Sequence, residues 1–392
     1  MDLTLLYPRY RHSALEEQYA TWQSEMLLRE ALEGSAFHPY ELHQTLAQAT
    51  ATLKTTYCLV VTDPLVLTGE LLASGLFKGL SHDPQVVAAV PISNESGNPR
   101  QRQSPPEPYL TLRQFQQASR LMAQGGAELE GATWDESDPG LYLCRTSFAQ
   151  QTDVTADVAL KDQPVVIARD VYVHRWIALR SQNRLDLLHF ISESAGSVLE
   201  FGCGEALLGE AIKRRQRCRV VGIELDPDAA KAARKRIDDI FCGDVREIVP
   251  LIHERFEWIV GGDILEHLDE PWSFLTELRR ISKQDGHLLL SIPNVANWAI
   301  VSDLLHGRFD YTYIGIACAG HLRFFTRRTI EETLRIAGWA VESITPQTPI
   351  VNSEFEILEQ KLKGAGVDFS HDDLVAPGYY VIARNQVRKS AR

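Results

Sequence analysis

Residues 198–206, Val-Leu-Glu-Phe-Gly-Cys-Gly-Glu-Ala, decide the fold of the second half of this chain. The apolar run Ser197–Phe201 predicts a short buried strand. Gly202 and Gly204 let the backbone turn tightly and approach a ligand without interference from a Cβ atom. The following segment, Glu205–Arg217, has the spacing of an amphipathic helix with basic residues at its end. A strand, a glycine turn and a helix in this order predict a ligand site beyond the carboxyl end of the strand.

The rest of this half alternates short β-rich runs with helical patterns of about a dozen residues, which predicts β-α units on a parallel sheet. The predicted strands are Ser197–Phe201, Arg219–Glu224, Asp239–Cys242, Phe256–Gly261, Gly286–Ile292, Ala340–Thr345 and Tyr379–Arg384. The further predicted helices are Pro227–Ile237, Trp272–Ser282 and Thr329–Ala337. The predicted fold class is therefore α/β. A change of texture near residue 175 predicts two domains, 1–175 and 176–392.

Carboxylates follow or end several of these strands, at the edge where an open α/β sheet binds its ligand. Glu224 ends the second strand, 20 residues after Gly204, where a carboxylate suits two ribose hydroxyls. Asp244 follows the third strand and suits an adenine edge. With Glu200 and Asp263, and with Gly202 beside Gly204, these residues are the predicted cofactor contacts.

A dinucleotide site is one alternative, since Gly-x-Gly with a later carboxylate is part of the Rossmann fingerprint. That fingerprint needs a third glycine and a phosphate at the helix N-terminus. In this chain Leu207 occupies the position of the third glycine, and Glu205 would place a negative charge beside the phosphate. A cationic ligand without phosphate, such as S-adenosylmethionine, tolerates Glu200 and Glu205 better. A plain β-α turn with no ligand stays open at this point.

The stretch from about Ser197 to Gly338 resembles a class I S-adenosylmethionine-dependent methyltransferase. The motifs are VLEFGCGEA, VVGIELDPDAAKAAR, FCGDV and the block that begins FEWIVGGDILEH. The later PNVANW and HLRFFTRRTIEETLRIAGW resemble a branch found among bacterial cell-surface glycan methyltransferases. The resemblance implies a Rossmann-like, seven-stranded domain, S-adenosylmethionine as cofactor, and an O-methyltransferase that acts on a saccharide or glycan precursor.

A sugar hydroxyl has a high pKa and gains from a general base or a metal ion during methyl transfer. The segment just past the fourth predicted strand offers Asp263, Glu266 and His267. His267 is the first candidate for the base because an imidazole titrates near neutrality. Asp263 and His321 are the other candidate catalytic residues. The competing interpretation is that Asp263 and His267 only cap the loop.

The pattern Asp263-x-x-Glu266-His267, with His321 far downstream, is similar to small-RNA 2′-O-methyltransferases. That resemblance implies that Asp263, Glu266, His267 and His321 hold Mg²⁺ or Mn²⁺, which polarises the hydroxyl. The first acid is Asp where that family has Glu, and this shortens its reach. A metal-dependent RNA 2′-O-methyltransferase is therefore an alternative function.

The N-terminal half resembles part of a family 2-like, GT-A-type glycosyltransferase in a degenerate form. Tyr57–Val66 is predicted as a strand, followed by a helix over 69–80 and a strand over 86–91. Asp63 falls where such enzymes hold a metal and a sugar-nucleotide diphosphate. The usual first nucleotide-binding strands are shortened or missing in the pattern. We expect an α/β domain that recognises a glycan or partner, and a bifunctional glycosyltransferase–methyltransferase is the other alternative.

The composition of the 392 residues limits the class of protein further. A net charge of −12 argues against DNA as a partner, and six scattered cysteines without a CxxC pair argue against a structural zinc site. No long apolar run predicts a membrane span or a signal peptide. We expect a cytoplasmic protein, and the sequence leaves homo-oligomerisation open.

Overall fold

A computed structural model describes residues 2–9, 15–33, 35–41, 43–63, 66–68, 72–94, 100–103, 105, 107–124, 129–134, 139–175 and 183–386. The chain divides into two compact units. One consists of Met1–Trp176 with Asp310–Ile314, and the other of Ile177–Phe309 with Gly315–Arg392. In the described residues, no helix is both long and apolar enough to cross a membrane.

The N-terminal unit is built on an eight-stranded mixed sheet with the order β2-β1-β3-β7-β5-β8-β4, and β6 pairs with β8. Its strands are β1 (Leu3–Pro8), β2 (Ala36–Tyr40), β3 (Tyr57–Val61), β4 (Val66–Thr68), β5 (Ala88–Ser93), β6 (Leu129–Thr133), β7 (Leu141–Arg145) and β8 (Pro164–Arg175). Its helices are α1 (Leu15–Ala31), α2 (Leu46–Thr50), α3 (Leu72–His82), α4 (Leu112–Gln124) and α5 (Thr146–Gln151).

Two expectations for this unit are wrong. The strand predicted over Tyr57–Val66 ends at Val61, and β4 forms a separate edge strand that pairs with β8. The first strands, which were expected to be shortened or missing, are present. Strand β1 lies between β2 and β3 and is parallel to both. All six residues of β1 are buried, as expected of a parallel strand with both faces covered.

The C-terminal unit contains a seven-stranded sheet with the order β11-β10-β9-β12-β13-β15-β14. Its strands are β9 (Ser197–Phe201), β10 (Arg219–Glu224), β11 (Asp239–Cys242), β12 (Phe256–Gly262), β13 (Ser282–Pro293), β14 (Ala340–Pro346) and β15 (Gly378–Arg384). Its helices are α6 (Leu207–Arg215), α7 (Pro227–Ala233), α8 (Val245–Ile248), α9 (Pro271–Arg280), α10 (Trp298–Leu305), α11 (Arg327–Ile336), α12 (Ser353–Gly364) and α13 (His371–Val375).

Neighbouring strands from β11 to β13 are parallel, and β15 runs antiparallel between β13 and β14. All seven strands were predicted from the sequence, and β13 begins four residues earlier than expected. The predicted helices exist, but α6 starts two residues late, because Ala206 adopts a left-handed conformation, and α7 ends at Ala233. Asp226 caps α7 as predicted, accepting hydrogen bonds from the N–H groups of Asp228 and Ala229.

Apolar clusters on both faces of this sheet fix the strand ends that form the candidate site. One close contact joins β9 and β12, because a Cβ atom on Gly261 would lie 2.0 Å from Cζ of the buried Phe201 ring. A glycine is therefore required at this position, and it draws β12 against β9.

We predict that Gly261→Ala destabilises the protein by about 1–3 kcal/mol or more, because the added methyl group must displace the Phe201 ring. Urea unfolding measures the change. Gly364→Ala at the end of α12 is the matched control, since a Cβ atom there meets nothing within 4 Å. It should change stability by less than about 1 kcal/mol. Equal effects of the two substitutions would contradict the packing argument.

Candidate active site

The glycine turn after β9 is held against the end of β10 by main-chain hydrogen bonds. The N–H groups of Gly202 and Cys203 both donate to the carbonyl of Ile223, at 2.8 and 3.2 Å. Gly202 has φ +66°, and a Cβ atom on it would lie 2.3 Å from Cδ1 of Ile264. The turn thus combines a conformation and a close approach that only glycine allows.

Glu224 extends from the end of β10 to this turn. One oxygen of its carboxylate accepts a hydrogen bond from the N–H of Gly204 at 2.7 Å, and the other from the N–H of Asp226 at 2.8 Å. The carboxylate is half-buried, and the neighbouring side chain of Leu225 is 67% exposed. Each oxygen of Glu224 keeps a lone pair beyond these two hydrogen bonds, so the carboxylate can still accept hydrogen bonds from a ligand.

Asp244 is engaged in the structure. It caps α8 by accepting a hydrogen bond from the N–H of Arg246 at 2.8 Å, and it forms a 2.6 Å ion pair with the Arg246 guanidinium. Hydrogen bonds from this guanidinium lower the pKa of Asp244. Arg246 also pairs with Asp269 at 3.0 Å. A contact of Asp244 with adenine would therefore have to be made beside Arg246.

Glu200 lies inside the C-terminal unit, beneath the glycine turn. Its side chain is buried and accepts a hydrogen bond from the main-chain N–H of Gly209. Among the residues that the structure describes, its Oε2 has no hydrogen-bond partner. Burial, together with the nearby charge of Glu224, raises the pKa of Glu200 to about 8. Glu200 thus lies behind the turn, next to the first turn of α6, and its contact with the cofactor stays a prediction.

Asp263 follows β12 with φ +52° and takes part in a network of polar side chains. Ser291 Oγ donates to Asp263 Oδ1 at 2.6 Å, and Gln347 Nε2 donates to Ser291 Oγ at 2.9 Å. The other carboxylate oxygen of Asp263 forms an ion pair with Arg184. The network thus fixes the direction of the Asp263 carboxylate, which remains partly exposed.

Arg184 is the residue of this region that the motif analysis missed. It precedes β9 and makes a second ion pair with Asp186, which in turn accepts a 2.8 Å hydrogen bond from the hydroxyl of Tyr380 on β15. A carbon and a nitrogen of Arg184 lie 3.2 Å from the position of a Cβ atom on Gly262. The sequence signals this role only through an Arg and an Asp that lie two residues apart before β9.

Three of the predicted metal ligands come together next to this network. Single ligand atoms of Glu266, His267 and His321 lie within 4.8 Å of one another, and the two imidazole rings are 4.9 Å apart at nearly right angles. The loop that carries His321 is tied to Glu266, whose main-chain carbonyl accepts hydrogen bonds from Leu322 and Arg323. Asp263 does not belong to this cluster in the described residues.

The Glu266 carboxylate is completely buried, and neither of its oxygens has a hydrogen-bond partner in the described part of the chain. Burial, followed by the nearby charge of Asp263, raises the pKa of Glu266 well above its usual value. His321 Nε2 is 3.8 Å from Glu266 Oε1, beyond hydrogen-bonding distance. The rings of Phe309 and Phe324 pack edge to face, and Phe324 also flanks His321.

In the N-terminal unit, Asp63 is paired with Arg175. The guanidinium donates to Asp63 Oδ2 from two nitrogens, at 3.1 and 3.2 Å, and both side chains are largely buried. Asn94 holds the main chain of Arg175 through two further hydrogen bonds. The acid that the sequence assigns to a metal and a diphosphate is therefore paired with a cation from the end of β8.

We predict that Glu200→Gln makes the stability of the cofactor-free protein less dependent on pH. The raised pKa of Glu200 means that its stabilising contribution is complete below the ordinary carboxyl pKa and is lost as the pH rises through about 8. Between about pH 5.5 and 8.5 the wild type should lose up to about 3 kcal/mol that the variant retains. Urea unfolding at both pH values measures this. Parallel losses in the two proteins would contradict the assignment.

Comparison with known proteins agrees with this architecture. Residues 172–344 match a family model described as a methyltransferase domain. A probable S-adenosylmethionine-dependent methyltransferase of Mycolicibacterium smegmatis is 29% identical over 147 residues, which cover 37% of this chain and 52% of that protein. A ubiquinone biosynthesis O-methyltransferase of Rhodopseudomonas palustris is 31% identical over 109 residues, 26% of this chain and 41% of that protein. The chain thus spans about half the length of these curated relatives.

Among solved structures, a SAM-dependent methyltransferase from Archaeoglobus fulgidus shares 16% identity and a TM-score of 0.38, with 51% of this chain and 91% of that chain covered. The family-model match and the strand order β11-β10-β9-β12-β13-β15-β14 confirm the predicted α/β, Rossmann-like class I methyltransferase fold. Residues 172–344 are thus similar to a methyltransferase domain, and the relatives that match the chain include a probable S-adenosylmethionine-dependent methyltransferase.

Proposed function

We propose that this chain transfers a methyl group from S-adenosylmethionine to a hydroxyl oxygen of a saccharide or cell-surface glycan precursor. The single observation that carries the cofactor assignment is the Glu224 carboxylate, which Gly204 and Asp226 hold at the end of β10. A carboxylate fixed in this way accepts hydrogen bonds from two ribose hydroxyls. The exposed side chain of Leu225 offers an apolar surface for the adenine ring.

Arg184 and Asp263 support a place for the amino-acid part of the cofactor. They present a guanidinium and a carboxylate side by side at the end of β12, and this pair of charges complements an α-carboxylate and an α-ammonium group. Ser291 and Gln347 orient the Asp263 carboxylate from the opposite side. Asp263 therefore serves the cofactor, and in this proposal it makes no direct contact with the reacting hydroxyl.

When bound, S-adenosylmethionine supplies a methyl carbon activated by a sulfonium. A new oxygen–carbon bond forms at that carbon as the carbon–sulfur bond breaks, and the electron pair of the broken bond remains on sulfur. The hydroxyl must also lose its proton. Glu266, His267 and His321 are the candidates for this task. The imidazole of His267 takes the proton, or the three side chains would hold Mg²⁺ or Mn²⁺, which would make the hydroxyl more acidic.

Two observations support a saccharide acceptor. The HLRFFT segment resembles glycan methyltransferases, and a sugar hydroxyl is weakly acidic, so it would need the activating side chains that this site offers. Two alternatives have less support. The ion pair of Asp63 with Arg175 weighs against a bifunctional glycosyltransferase, since it occupies the acid required for a sugar nucleotide. Basic residues on α6 are paired, as in Lys213 with Asp238, which weighs against an RNA-binding channel.

We predict that Glu224→Gln weakens S-adenosylmethionine binding about 10- to 100-fold, because charge-assisted hydrogen bonds to the ribose are lost. Isothermal titration calorimetry measures the affinity. Glu247→Gln, at an exposed carboxylate on α8, is the matched control and should bind like the wild type. Failure of the folded wild type to bind S-adenosylmethionine would refute the proposed function.

We predict that His267→Ala slows methyl transfer by about 10²- to 10⁴-fold and leaves S-adenosylmethionine affinity unchanged, because His267 acts on the acceptor hydroxyl and does not bind the cofactor. Single-turnover transfer of a labelled methyl group to a glycan acceptor, with calorimetry in parallel, separates the two effects. An unchanged rate at saturating acceptor would remove His267 from catalysis.

A further inference from the structure

The guanidinium of Arg323 carries a charge that the protein does not pair with an acid. Among the residues that the structure describes, it forms no ion pair with a carboxylate. Its terminal nitrogens donate instead to main-chain carbonyls, that of Leu322 at 2.9 Å and that of Asp269. The carboxylate of Asp269 is paired with Arg246 at 3.0 Å. Because a carbonyl satisfies a donor without cancelling its charge, Arg323 keeps a positive charge and further N–H donors.

The next two arginines of the same segment show the contrast. Arg328 lies 3.0 Å from Glu332, and Arg327 lies 3.7 Å from Glu331, in each case one turn further along α11. These are ordinary ion pairs of a helix surface. Acidic residues also outnumber basic ones in the whole chain, 52 to 40. A shortage of carboxylates therefore does not explain Arg323, and the position of its guanidinium must be considered.

Arg323 is held beside the candidate catalytic residues. Its main-chain N–H donates to the carbonyl of Glu266 at 3.0 Å, and its guanidinium reaches the carbonyl of Asp269. Asp269 comes two residues after His267, and two residues span at most about 7 Å, so the guanidinium lies within about 10 Å of the main chain of His267. A substituent of one sugar can thus meet Arg323 while a hydroxyl of the same or the adjoining sugar meets His267.

An exposed aromatic surface lies next to this charge. The central carbon of the Arg323 guanidinium is 5.7 Å from the centre of the Trp272 ring, within the range of a cation–π contact. Trp272 is 42% exposed, and Leu322 and Phe324, which flank Arg323 in the chain, are exposed as well. The indole offers an apolar face to the C–H groups of a sugar ring, and the guanidinium offers paired N–H groups to an anion. A ligand that uses both is an acidic sugar.

We infer that Arg323 and Trp272 bind an anionic substituent of the acceptor, a carboxylate or a phosphate on the saccharide, and thereby favour acidic saccharides over neutral ones. The planar guanidinium matches either anion through two parallel N–H···O hydrogen bonds. Arg323 orients the acceptor in this arrangement and takes no part in the transfer of the methyl group. This inference deepens the proposed function and rests on it.

Matched pairs of sugars test the charge preference of the full chain. Phenyl β-D-glucuronide is compared with phenyl β-D-glucoside for a carboxylate, and glucose 6-phosphate with glucose for a phosphate. NMR titration gives the dissociation constants. The anionic member of at least one pair should bind at least about tenfold more tightly, because its hydrogen bonds are charge-assisted. Added salt at about 0.5 M should reduce this preference. The pair with the larger preference identifies the anionic group.

Substitutions assign the preference to the two residues. Arg323→Gln should lower it to less than about twofold and leave the affinity for the neutral sugars within about threefold. Trp272→Ala should weaken both members of a pair, because the surface that packs against the sugar ring is lost. Arg328→Gln is the matched control, since it removes an arginine of the same segment that already has an acidic partner. It should keep the wild-type preference.

Equal binding within both pairs would overturn the inference. A preference that persists in Arg323→Gln, or one that Arg328→Gln also abolishes, would do the same. A purely structural Arg323 would lower the melting temperature on substitution while the folded variant kept the preference. If Arg323→Gln does not fold, Arg323→Lys replaces it, because lysine keeps the charge but lacks the planar fork. Arg323→Lys should bind the anionic sugar at least about threefold more weakly, and an unchanged affinity would count against the site.

Calorimetry with S-adenosylmethionine separates this inference from the proposed function. Binding of S-adenosylmethionine without any preference for anionic sugars overturns the inference and leaves the methyltransferase proposal intact. A preference that depends on Arg323, in a folded protein that does not bind S-adenosylmethionine, supports the anion site and overturns the proposed function itself.

Discussion

The parallel register of β9, β10 and β12 is the constraint on which the candidate site depends. Leu199 is aligned with Val221 on one side and with Ile259 on the other, so the three strands reach the same edge of the sheet together. The glycine turn, Glu224 and the segment around Asp263 follow from that edge. Close packing of Gly261 against Phe201 keeps the central strands in contact.

The sequence predicted which residues follow the strands at this edge better than it predicted which side chains those residues contact. The β-rich runs and the glycine turn are local patterns, and all seven strands and the turn at Gly202 were found where they were expected. Glu224 could be placed because the distance from Gly204 is set by one helix and one strand. Arg184, by contrast, reaches Asp263 from a segment 79 residues earlier in the chain, and no local spacing predicts that contact.

Asp263 and Glu266 show how two side chains of one short motif come to lie in different surroundings. They are three residues apart and were predicted to bind one ion. The short 3₁₀ turn Leu265–His267 intervenes, and the two carboxylates end in different surroundings. Asp263 meets Ser291 and Arg184, whereas Glu266 is enclosed near His321. In the N-terminal unit, too, the partner of a predicted site residue is distant in sequence, since Asp63 pairs with Arg175, 112 residues later.

The carbonyl oxygen of Glu266 accepts hydrogen bonds from two successive amides, those of Leu322 and Arg323. Because only main-chain atoms form these two hydrogen bonds, they do not require particular side chains in the loop. Residues around His321 can therefore be exchanged, for example by grafting the loop from a related protein, while the loop keeps its attachment to the 3₁₀ turn Leu265–His267. In the proposed methyltransferase, acceptor specificity could then diverge at this loop without changing the strand ends that are proposed to bind the cofactor.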